Sequence, residues 1–152
     1  MQITKILVAI DFSESSLFAL AEARLLADAY GATLHLLHVV SEPLEEPWSG
    51  FVPADSLMAT VERLQKEASN RLAALVPPAD VARGRVVVST GWGDPADEIL
   101  KYAATHDVNL VVCGTHGRRG FNRFVTGSVA ERVVRFAPCP VLTVHSAIPA
   151  VA

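Results

Sequence analysis

Between positions 109 and 136 the chain reads NLVVCGTHGRRGFNRFVTGSVAERVVRF, which sets Gly114, Gly117, Gly120 and Gly127 among Arg118, Arg119 and Arg123. A residue without a Cβ can take positive φ and let the backbone lie flat against a ligand. Guanidinium groups next to exposed amides supply the donors that phosphate oxygens accept from. These residue types point to a polyanion such as a phosphate chain. His116 stands in the same stretch, where it could touch phosphate, act in slow hydrolysis or remain a solvent-facing loop histidine.

Such a loop works only if flanking elements hold it. The apolar run 110–113 reads as a strand buried on both faces. From Ser128 onward, Ala130, Val133, Val134 and Ala137 recur at helical spacing, and Ser128 with Glu131 fits a capping box, so the helix is predicted to start at Gly127 and Ser128. Unpaired amides and the positive end of the helix dipole would then meet the glycines, as at known anion sites. A plainer account has the glycines turning the chain and Ser128 capping a helix. The spacing is neither a P-loop, which needs a lysine after the last glycine, nor GxGxxG.

Gly114, two residues, Gly117, nine residues, then Gly127-Ser128 resembles the G-2x-G-9x-G-[S/T] signature of the nucleotide-binding branch of the universal stress protein family. The likeness extends to ILVAIDFSESS near the start, LHLLHVV, GTHG, TGSVAERVV and CPVLTV near the end. The resemblance implies ATP as ligand, with adenosine near Ala9, Asp11 and Val39. It places the triphosphate along Gly114, Thr115, His116, Gly117, Arg118 and Arg119, ending on Gly127, Ser128 and Val129. A magnesium ion would bridge phosphate oxygens, with water and phosphate as its main ligands because the chain offers few carboxylates for it. Family members without the full glycine spacing are thought not to bind ATP.

At 152 residues with 51% hydrophobic content the chain fits one domain, 1–152, with a sizeable core. A net charge of −3 argues against general nucleic-acid binding, so the arginines form a local island. Cys113 and Cys139 lack the spacing of a metal or disulfide framework. With no apolar run of bilayer length and no signal-peptide pattern, a cytoplasmic location is expected.

The elements predicted along the chain alternate. Residues 3–10 form a first strand, and the short polar side chains of DFSESS cap a helix running to about Tyr30 and stopped by Gly31. Asp11 fits either a turn or cap residue or, at the tip of the first strand, a ligand contact. Residues 33–40 form the second strand, with His35 and His38 on opposite faces and so unsuited to one metal. Residues 41–53, containing Trp48, read as a loop. A long amphipathic helix from Asp55 to about Val76 ends at Pro77-Pro78. A third strand over 85–90, a turn over 91–95 with Asp94 as cap, and a helix to His106 precede the glycine unit. Residues 140–145 form a last strand whose bare, apolar edge invites a second copy, so Val141, Leu142, Thr143 and Val144 are expected to join a homodimer. The tail from Ser146 is expected to be mobile.

This alternation predicts an α/β fold, a five-stranded parallel sheet with helices on both faces. The resemblance implies strand order 3-2-1-4-5, Rossmann-like and akin to the adenine nucleotide alpha hydrolases. Strand order then reverses between strands one and four, bringing Asp11 and Gly114 to one crevice. Two other functions fit parts of the sequence. An adenylating or ATP-pyrophosphatase-like enzyme would need a glycine-serine-rich loop after the first strand, where this chain has DFSES. A nucleotide-free interaction module, with an unknown protein partner, would use the glycines structurally. No Walker lysine or placed base identifies hydrolytic machinery.

Overall fold

The structure, a computed structural model, describes residues 2–41, 54–115 and 127–145. Five parallel strands form one sheet: β1 (Lys5–Ala9), β2 (Thr33–Val40), β3 (Val86–Trp92), β4 (Leu110–Gly114) and β5 (Val141–Val144), in the order β3-β2-β1-β4-β5. This is the order that the sequence resemblance implied. β1 and β4 are near-continuous apolar runs because each is covered on both sides.

Alternate side chains feed two cores. On one face Ile6, Val8, Leu34, Leu36 and Val112 pack with Ala19, Leu20 and Ala23 of α1 (Glu14–Tyr30) and with Leu72 of α2 (Ala54–Ala73). On the other, Leu7, Leu37 and Val111 pack with Ala96, Ile99 and Ala103 of α4 (Pro95–Thr105) and Val133 of α5 (Ser128–Phe136). Gly31 closes α1 in the left-handed conformation, φ 65°, as its position after the apolar pattern predicts.

Three local expectations are corrected. The second helix, α2, ends at Ala73 rather than near Val76, so Pro77-Pro78 does not end it but starts a third, α3 (Pro78–Ala82), with Pro77 as extended cap and Pro78 at the first helical position. β3 runs through Gly91 and Trp92, which the sequence assigned to a turn. They pair with Val39 and Val40, and the turn falls to Gly93 at φ 122°. Finally, α5 is not closed by a capping box: Gly127 occupies the cap and Ser128 is already helical. The 41–53 loop beyond Ser41, with Trp48, and the tail from Ser146 lie outside the described residues.

Candidate functional site

Strand order reverses between β1 and β4, which pair from Ile6↔Leu110 to Ala9↔Cys113, so the segments leaving both strands start side by side. On the β1 side, Asp11 folds back on the start of α1. Its Oδ1 accepts from the Ser13 amide at 2.9 Å and from the Ser13 hydroxyl. Ser13 in turn caps α1, its Oγ accepting from the Ser16 amide at 3.3 Å. Asp11 thus performs the turn role that its type allows. The intervening Phe12 takes φ 63°, an uncommon conformation for a bulky residue. Its ring lies 3.7 Å beneath the Arg71 guanidinium and 4.8 Å from the His38 ring.

On the β4 side, Gly114 touches α1 closely. A Cβ built there would lie 2.6 Å from Ser15 Oγ, 2.7 Å from Ser15 C and 2.9 Å from Ser15 Cβ. A packing requirement therefore accounts for this glycine before any ligand is considered. Thr115, 2% exposed, follows as a junction. Its amide donates to Val144 O at 3.0 Å, its Oγ1 lies 2.8 Å from His145 Nδ1, and its carbonyl accepts from the Gly127 amide at 2.6 Å.

That last bond fixes where α5 begins. Gly127 sits at φ −54°, ψ 142°, a conformation open to any residue, so its backbone angles do not explain a glycine here. The Gly127 amide is already committed to Thr115, and Glu131 N returns to Gly127 O at 3.0 Å. The donors of the first turn are the amides of Ser128, Val129 and Ala130, which helical geometry leaves without intrahelical acceptors. They carry the partial positive charge of the helix terminus.

Ala9, Val39 and Val129, from three different elements, pack against the same apolar cluster on the α4 and α5 face. Of the predicted site residues, Ala9, Asp11, Gly114 and Thr115 lie at or just past the ends of the paired β1 and β4, Gly127, Ser128 and Val129 open α5, and Val39 lies near the end of β2. His116, Gly117, Arg118 and Arg119, with Gly120 and Arg123, lie outside the described residues. Among the described residues no group of three or more His, Cys, Asp or Glu side chains is arranged to hold a metal ion.

Sequence reasoning missed Arg132, which ties α5 to the start of α4 by bonding Asp94 at 2.8 Å and Asp97 at 2.5 Å. Asp94 does cap α4 as expected. The Asp97 amide donating to it holds its carboxyl below its ordinary value, opposed by burial and aided by the Arg132 guanidinium. The Nδ1 of His35 is 2.9 Å from Tyr102 Oη, which is 3.1 Å from Ser89 Oγ. Burial, then the nearby His106 and Lys5 charges, lower its pKa below 6.5.

Residues 2–145 match the model of the universal stress protein family. The chain is 33% identical over 140 residues to universal stress protein MJ0531 of Methanocaldococcus jannaschii, covering 92% of this chain and 81% of that one. Among solved structures, universal stress protein UspA from Lactobacillus plantarum superposes with a TM-score of 0.74 at 28% identity, covering 95% of this chain and 99% of that one. The fold is also shared, at TM-score 0.63 and 24% identity over 97% of this chain and all (100%) of the other, with a universal stress protein solved in complex with cAMP. Among the described residues no helix is long and apolar enough to cross a membrane. With the family match spanning residues 2–145 and the sheet order in accord with it, the chain belongs to the universal stress protein family.

Proposed function

We propose that this protein binds an adenine nucleotide, ATP with magnesium, at the strand-order reversal and acts as a nucleotide-dependent stress-response module. The observation that carries the reading is the 2.6 Å bond from Gly127 to Thr115, which seats the amide-bearing start of α5 against the tip of β4, next to β1. Adenosine would lie by Ala9, Asp11 and Val39. The phosphates would follow Gly114 to Arg119 and end on the amides of Ser128 and Val129, with Gly127 leaving room for them to approach. Thr115 and Gly127 contribute by position, because the bond between them already uses the Gly127 donor. Magnesium would be coordinated mainly by phosphate and water. The bound nucleotide of a family member, cAMP, supports the same ligand class.

The reading extends to a single-domain homodimer in the cytoplasm, joined through β5 and presenting a nucleotide-dependent surface to a protein partner. β5 contributes no fully buried residue, and Leu142, Val134 and Phe136 are exposed apolar side chains on it and on α5. The proposed activity is binding rather than turnover. A nucleotide-free interaction module is the second reading, favoured by one observation: Ser15 alone explains the glycine at 114.

Calorimetric titration of the purified protein with millimolar ATP and magnesium decides between them. Binding is expected, and its absence would defeat the nucleotide reading. Gly127→Val adds a branched side chain where φ permits one, so the fold should persist while phosphate approach is blocked. Equal affinity in that variant would show the site to be misplaced.

A further inference from the structure

Thr115 reaches β5 and the start of α5 at once. Its amide and hydroxyl face the end of β5, at Val144 O and His145 Nδ1, while its carbonyl holds the Gly127 amide. The register reinforces this, because Gly114 pairs with Val144 immediately before it. The residue is 2% exposed, and its hydroxyl also lies 3.5 Å from Val144 O, a longer contact than the one to His145. The side chain, the end of β5 and the start of α5 are thus joined through one residue.

We infer that Thr115 is a positioning residue: its hydroxyl contact with His145 sets the carbonyl that anchors Gly127, and so aims the first-turn amides of α5 at a bound phosphate. The part played by phosphate rests on the nucleotide reading above. The anchoring of α5 to β5 does not. Thr115 acts through Gly127 and need not touch the ligand. No feature of residue 115 marks it in the glycine signature, and a threonine at a buried strand tip reads as ordinary β-branched filling.

The test uses the full chain, with Thr115→Val to remove the hydroxyl at nearly constant volume and Thr115→Ser to retain it. Amide exchange at Gly127, followed by NMR without ligand, should quicken about tenfold in Thr115→Val and return toward the parent rate in Thr115→Ser. Affinity for ATP with magnesium should fall about five- to tenfold in the valine variant and recover in the serine variant. His145→Ala should reproduce the loss, and combining it with Thr115→Val should add little.

A merely structural hydroxyl would lower the melting temperature without changing the affinity of the folded protein. A valine variant that binds ATP like a binding-competent parent would overturn the inference. Should the parent itself bind no ATP, the functional reading fails, and the exchange experiment still judges the anchor: equal rates at Gly127 reject it, and a faster rate in the valine variant sustains it.

Discussion

Replacing Gly114 with alanine tests the contact between β4 and α1. The new methyl would lie 2.6 Å from Ser15 Oγ, a clash that rotation of the serine can relieve. It would also lie 2.7 Å from Ser15 C, which belongs to the backbone and moves only with the helix. Going from 2.7 Å to ordinary contact at 3.4 Å requires the first turn of α1 to retreat by about 0.7 Å. That turn is held by the Ser13 cap and by the buried Ser15 and Ser16, so retreat loosens the tip of β1 as well. Overpacking of this kind costs about 1–3 kcal/mol. For a domain of this size that is a fall of roughly 3–10 °C in Tm. Thermal and urea unfolding measure it. Gly31→Ala is the control, since its cost comes from φ 65° with no atom within 4 Å of the added carbon. A Gly114→Ala protein that melts with the parent would refute the reasoning, because no side-chain rearrangement can absorb a backbone clash.

Other consequences follow from charge and burial. His35 has a folded pKa below its ordinary 6.5, so the unfolded chain binds the extra proton and stability must decline as pH falls from about that value. Urea midpoints between pH 7.5 and 5 should show this slope in the parent and a flatter one in His35→Gln. Asp94 has its folded pKa depressed, so its contribution is present above the ordinary 3.8 and lost in stronger acid as pH falls through the folded value. Asp94→Ala should cost about 1 kcal/mol at neutral pH through the lost cap, with Asp94→Asn retaining most of it. The Cys113 thiol, pushed up to about 11 by burial, should resist alkylation at pH 8 in the native protein, and mass spectrometry should find it modified readily only after unfolding.

The sheet could be read in the sequence because strands such as 110–113, buried on both faces, announce themselves as unbroken apolar runs, and Gly31, Pro95 and Asp94 punctuate the helices locally. The strand tips and the start of α5 could be located for the same reason. Contacts joining distant segments could not. The Ser15–Gly114 approach, the Arg132 bridge to Asp94 and Asp97, and the Thr115–His145 contact depend on which elements become neighbours, and no local pattern encodes them. The five-residue α3 is too short for periodicity to register. Gly91 and Trp92 looked like turn residues, yet pairing with β2 drew them into β3. For Ser128, the cap lies one residue earlier than a capping box would set it, at Gly127, whose amide donates to the Thr115 carbonyl.

The crowding at Gly114 bears on how relatives of this chain should be judged. A descendant that had abandoned every nucleotide would still be destabilised by a larger residue there while α1 lies against β4. That glycine is therefore a poor witness to ligand binding, however prominent it is in the pattern. At Gly127 the φ of −54° suits any amino acid, so the backbone conformation that so often demands glycine is not what puts one there.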